Sequence, residues 1–206
     1  MKPKEKKSLP TVLSVEQVDK LINSFDESDP LQLRNKTMTE LMYSTGLRVS
    51  ELVNLKLNDL HFTTQTLSCV GKGNKERIVP MGERAVSLLR RYIDEVRPKL
   101  NKRLEPQILF LSSKGTQLTR QAVWKLLKEQ LKICGLNPNI SPHQLRHTFA
   151  SHLLENQVDI RYIQELLGHS DISTTQIYTH VDTKTLNEVV NLYHPRNRKG
   201  SGVNDV

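Results

Sequence analysis

For most of its length the chain spaces apolar residues three or four positions apart, the period of a half-buried helix. In "LSVEQVDKLINSF", Val15, Val18, Leu21 and Ile22 fall on one side. Ser14 stands at the N-cap, and Gln17, three positions on, completes a capping box. "DPLQLRNKTMTELMYSTG" opens with Asp29 as cap and Pro30 at the first helical position, carries Leu33, Met38, Leu41 and Met42, and stops at Gly46. A short helix is predicted over "RVSELVNL". The period then changes. "QTLSCVGKGNKERIVPM" sets β-prone runs on either side of a Gly-Asn-Lys turn, which predicts a hairpin. Helical spacing returns in "GERAVSLLRRYIDEVRPKL" and in "LTRQAVWKLLKEQLKICG", the latter capped by Thr119 and ended by Gly135. Beyond Ser141-Pro142, helical stretches are predicted over 142–155, 159–167, 172–180 and 184–192. The pattern gives a mainly α fold with a small antiparallel β-sheet or hairpin, without internal repeats. The 206 residues suffice for one core, and the polar ends, 1–10 and 195–206, are expected to be tails.

Charge adds a partner to this picture. Thirty Lys and Arg against 22 Asp and Glu leave a formal net charge of +8, which favours an anionic partner, nucleic acid before others. Cys69 and Cys134 stand far apart in apolar surroundings and form neither a disulfide framework nor a metal cluster, as expected of a reducing cytoplasm. No apolar run approaches the ~18 residues of a membrane span, and "MKPKEKKSLP" lacks the apolar stretch of a signal peptide.

The densest chemistry lies in "HQLRHTFASHLLENQVDIRYIQELLGHSDISTTQIYTH", residues 143–180. His143 and Arg146, three apart on one predicted helix, point the same way. Gly168 ends the next helix, which leaves His169 on a turn, and Tyr178 follows nine residues later. Each residue alone has an ordinary reading as a capping histidine, a surface ion pair or a half-buried tyrosine. "HQLRH" also has the i, i+4 histidines of a zincin helix, but Gln144 occupies the position where that motif needs Glu, which argues against zinc.

Four segments, "STGLRVSELVNL", "VGKGNKERIVPM", "HQLRHTFASHLL" and "LLGHSDISTTQIYTH", together resemble the catalytic domain of the tyrosine (phage-integrase-like) recombinases, most of all the Xer site-specific recombinases of chromosome dimer resolution. The likeness runs from Leu13 to about Pro195. It implies that Tyr178 attacks a DNA phosphodiester to give a 3′-phosphotyrosyl bond and a 5′-hydroxyl. Arg48 and Arg146 are implied as a clamp on the non-bridging oxygens, a role suited to a planar guanidinium. Lys72 is implied as general acid, with Lys75 its neighbour in the turn, read instead as a phosphate contact. His143 is implied as proton acceptor or phosphate donor, and His169 as a second phosphate ligand. Glu51 would brace the cations, although a plain helix ion pair with Arg48 fits as well. Lys75, Arg77, Arg120 and Gln121 are the expected DNA contacts.

This scheme needs no metal and no cofactor, because arginine, lysine and histidine supply the charge stabilisation, and no P-loop is present to bind ATP. The implied partners are a double-stranded recombination site, a tetramer with itself or a paralogue, and a DNA translocase as activator. The resemblance divides the chain into a linker-like arm (1–12), a catalytic domain (13–193) and a polar tail (194–206), without the family's N-terminal DNA-gripping domain. A type IB topoisomerase and a DNA-binding protein without catalysis are the rival readings. Finally, "DTKTLNEVVNLYHPRN" places Leu186, Val189, Val190 and Tyr193 on one apolar face, implied to dock on a neighbouring protomer or fold back in the monomer.

Overall fold

The computed structural model describes residues 12–102, 107–168 and 183–197. Its elements are α1 (Val15–Asn23), α2 (Pro30–Thr45), α3 (Val49–Asn54), β1 (Leu60–His61), β2 (Thr66–Val70), β3 (Glu76–Pro80), α4 (Glu83–Arg91), α5 (Arg97–Leu100), α6 (Arg120–Ile133), α7 (Pro142–Glu155), α8 (Ile160–Leu167) and α9 (Thr183–Tyr193). The expected caps form. Ser14 and Gln17 exchange bonds of 3.1 and 2.9 Å, Asp29 accepts from Leu31 and Gln32, Thr119 accepts from Ala122, and Ser141 and Gln144 make a second capping box.

Helix α2 is the axis of the fold, and α1, α3, α4, α6 and α7 all pack on it. Every residue from Leu33 to Thr45 is buried, so this helix has no wet side. The apolar stripe of Leu33, Met38, Leu41 and Met42 anticipates only part of this. Most of its polar residues are tolerated because they find partners, whereas Ser44 Oγ has none among the described residues. Thr37, Thr39 and Thr45 donate to the carbonyls four residues back. Arg34 donates to the Leu111 carbonyl at 2.9 Å, and Lys36 pairs with Glu27 at 2.5 Å.

The sheet has order β1-β2-β3, all antiparallel, with Cys69 opposite Arg77 and Val70 opposite Glu76. β1 escaped sequence reading because two residues cannot display a period. The turn is tighter than a plain loop: Lys72–Asn74 form a 3-10 turn in which Gly73 and Asn74 take φ of 74° and 58°. The expected helix over 82–100 is continuous but changes hydrogen-bond spacing, with a π segment at Tyr92–Val96 between α4 and α5.

The C-terminal segment departs from expectation at Tyr193 and at the start of the tail. Helix α9 packs on β3 and α8 of its own chain through Leu186, Val189 and Val190, while Tyr193, expected on the same apolar face, is exposed. The polar tail expected from 194 onward starts as buried structure. His194 is fully buried, its Nε2 donating to the Tyr43 carbonyl at 3.2 Å and its Nδ1 accepting from Arg196 N–H at 3.1 Å. The Arg196 guanidinium is held by buried Glu40 (2.6 Å) and by Asp19 (2.5 Å). Composition alone misses this, because a polar segment packs inside whenever distant residues satisfy it.

Candidate active site

Gly46 ends α2 in the left-handed region, with φ of 67° and its N–H on the Met42 carbonyl. That turn delivers Leu47 to the core and Arg48 to the N-cap of α3 in an extended conformation. Glu51, in the first turn of α3, reaches back to accept the Arg48 backbone N–H at 2.7 Å. A carboxylate there also meets the positive end of the helix dipole. Its other oxygen accepts Arg48 Nη1 at 3.1 Å.

A third residue completes the arrangement. Arg77, on β3, donates Nη2 to Glu51 Oε2 at 3.0 Å and Nη1 to Glu51 Oε1, and its Nε donates to the Leu166 carbonyl at 3.1 Å. Its side chain is only 11% exposed. Arg77 therefore braces Glu51 from inside the fold and is not presented to solvent as the expected DNA contact. Strand alternation carried the signal: counting back two from buried Val79 puts Arg77 on the inward face with Leu67 and Cys69.

Arg146, on the inner side of α7, is buried, and it grips two main-chain segments. Nη1 donates to the Gly46 carbonyl at 2.5 Å and Nη2 to the Leu167 carbonyl at 2.6 Å. Arg146 is thus a strut between the end of α2 and the end of α8. His143, one turn earlier, is exposed, so the two share a helix side but not a depth.

The electrostatics follow from three guanidiniums around one carboxylate. Burial, with Arg48 and Arg77 close by, pushes Arg146 down to about 10, still protonated at neutral pH. For Glu51 burial favours the neutral acid, but the bonds and charges of Arg77 and Arg48 outweigh it and hold the carboxyl below its usual range. Burial pushes the Cys69 thiol up to about 12, which makes it an inert packing group. The site keeps surplus positive charge, and Arg48, with a third of its side chain exposed, presents it to solvent.

Lys72 and Lys75 are exposed at the hairpin turn. Arg120 and Gln121 are exposed at the N-terminus of α6. There they line, with Ser50 and Asn54 of α3, a groove of about 440 Å³. His169 and Tyr178 lie outside the described residues, as does the predicted helix 172–180. Among the described residues no three His, Cys, Asp or Glu converge as metal ligands, and no helix is long and apolar enough to cross a membrane.

A model of the phage integrase family matches residues 11–185. The tyrosine recombinase XerD of Listeria innocua serovar 6a is 51% identical over 195 residues, which are 94% of this chain and 66% of that protein. The crystal structure of XerA recombinase superimposes with a TM-score of 0.72 at 34% identity, covering 95% of this chain and 68% of that one. A pre-cleavage complex of XerH site-specific recombinase bound to its difH substrate gives 0.70 at 31% identity, covering 91% of this chain and 55% of that one. The chain thus spans just under two thirds of the length of the recombinase from Listeria.

Proposed function

The chain belongs to the phage integrase family, and from that premise we propose that it cuts and rejoins double-stranded DNA at a recombination site through a covalent tyrosyl intermediate. The observation that carries the reading is the cluster of Arg48, Arg77 and Arg146 around the single carboxylate of Glu51, with Arg48 turned to solvent. Such a site keeps surplus positive charge after Glu51 is counted, and a phosphodiester is an anion that offsets it. The transition state gathers more negative charge on the non-bridging oxygens than the ground state, so fixed guanidiniums stabilise it more.

In this mechanism the Tyr178 hydroxyl oxygen bonds to phosphorus, and the bond from phosphorus to the 5′ oxygen breaks. His143 takes the phenolic proton, and Lys72, on its exposed turn, gives one to the departing 5′ oxygen. His169 and Arg48 hold the phosphoryl oxygens together with Arg146. The phosphotyrosyl bond retains the energy of the one broken, so resealing needs only attack by a 5′-hydroxyl. Lys75, Arg120 and Gln121 follow the DNA, the last two from the groove beside α3. Arg77 is reassigned to bracing.

The relatives are named as recombinases, which favours exchange of strands over relaxation alone. The same reading extends to assembly as a tetramer with itself or a paralogue on DNA, activation by a translocase, and a cytoplasmic setting. The test is a nicked suicide duplex carrying a candidate site. Protein joined to DNA on a denaturing gel, formed in the presence of a chelator and absent for Tyr178→Phe, is the expected result. An adduct that persists in Tyr178→Phe overturns the assignment, and so does one that chelation abolishes.

A further inference from the structure

Arg77 makes more contacts than a brace for one carboxylate requires. Its guanidinium spans both oxygens of Glu51, while its Nε holds the Leu166 carbonyl in the last turn of α8. The next carbonyl, that of Leu167, is taken by Arg146. Two arginines therefore clamp consecutive carbonyls at the negative end of the α8 dipole. Gly168 follows with φ of 65°, and a β-carbon there would lie 2.9 Å from Arg77 Cδ and 3.2 Å from its Nε. The Arg77 side chain thus occupies the space against which the chain turns as it leaves α8 towards His169 and Tyr178.

We propose that Arg77 is a positioning residue that couples the orientation of Arg48, through Glu51, to the end of α8 from which the segment bearing the nucleophile departs. This rests on the phosphoryl-transfer reading above and assigns a role within that site. The coupling follows from the shape of the guanidinium. Its donors point in fixed directions in one plane, so it cannot follow a displaced Glu51 without disturbing its bond to Leu166. A lysine at 77 keeps the charge but cannot span both oxygens of Glu51 and the carbonyl at once. An apolar residue would leave a carboxylate that is 2% exposed with Arg48 as its one ion-pair partner among the described residues. Arg48 and the end of α8 are then set by one rigid fork, so a phosphate that draws Arg48 outward is felt at residues 166–168.

The decisive measurement is hydrogen exchange, read by mass spectrometry on the full chain without DNA, for wild type, Glu51→Gln and Arg77→Lys. Glu51 bonds to Arg48 and Arg77, and Leu166 and Leu167 are held by Arg77 and Arg146. Coupling through Arg77 nevertheless predicts that Glu51→Gln speeds exchange about tenfold in peptides covering 163–168 as well as 48–54, and that Arg77→Lys does the same. Both substitutions are near-isosteric or charge-conserving, and a melting curve for each establishes that it is folded. If Glu51→Gln acts only on 48–54 and leaves 163–168 at the wild-type rate, the coupling does not exist. On the suicide duplex, Arg77→Lys is expected to slow adduct formation about tenfold with DNA affinity within twofold of wild type, and an unchanged rate overturns the proposal. Should wild type itself form no adduct, the proposed function falls, and the exchange data alone decide whether Arg77 couples the two regions.

Discussion

Arg48 and Arg146 have the same implied task but different structural duties, and their substitutions separate the two. Arg146→Ala removes two charge-assisted bonds to buried carbonyls, those of Gly46 and Leu167, and is expected to cost about 3 kcal/mol of stability. Arg48→Ala removes a partly exposed partner from a Glu51 that keeps Arg77, and is expected to cost ~1 kcal/mol or less. Each should slow adduct formation by ~10²–10³, the effect of losing one preorganised donor to a developing charge. Urea denaturation beside the gel assay checks both. Equal stability losses would show that Arg146 is no strut. At this scale the sequence displayed both arginines through their motifs. It could not display that Arg146 reaches carbonyls 100 and 21 residues away, because a donor's partner is chosen by the packing of elements and not by spacing.

Among the elements, the turn from α2 into α3 is tightly constrained. A β-carbon at Gly46 would lie 2.5 Å from Phe149 Cδ1 and 2.9 Å from Leu167 Cδ2, on a backbone with φ of 67°. Gly46→Ala combines left-handed strain with overpacking, about 3 kcal/mol together. That corresponds to a melting temperature lower by ~6–12 °C in a domain of this size. Because the Gly46 carbonyl is a ligand of Arg146, adduct formation should fall too. A melting temperature within about 2 °C of wild type would mean that Phe149 gives way freely. Gly46 was legible as a helix stop from its position after a periodic run. The aromatic ring against it was not, since Phe149 belongs to α7.

At the scale of the whole molecule, residues 194–197 pin the segment after α9 to α1 and α2. Arg196→Met strands Glu40, fully buried, without its charge partner, and a loss of about 3–5 kcal/mol is expected in equilibrium unfolding. A loss below ~1 kcal/mol would mean that water reaches Glu40. His194 adds a pH dependence. Burial holds it at about 3 in the fold, below its usual value of about 6.5, with Tyr43 and Arg196 bonding the neutral ring. The unfolded chain therefore binds a proton below about pH 6.5 that the fold refuses. His194 contributes fully above that pH, and stability falls by ~1.4 kcal/mol per unit as pH drops towards 3. Between pH 6.5 and 5, before the carboxylates titrate, His194→Phe should be less stable at pH 7 but show a flatter slope. Urea melts at three pH values measure it, and parallel slopes would rule His194 out.

The sequence by itself determined what is local. Caps, helix periods and the hairpin are properties of neighbours within about four positions, where side chains meet through the geometry of one helix or one strand pair. Only the tertiary structure decided which basic residues face outward. Arg77 and Lys75 stand two apart in one polar stretch, yet Lys75 is exposed and Arg77 lies inside against Glu51 and the end of α8. Likewise, nothing in "YHPRN" separates a tail from a buried lock. What makes His194 and Arg196 interior are Tyr43, Glu40 and Asp19, over 150 residues away, and a buried polar group is stable only where such partners converge.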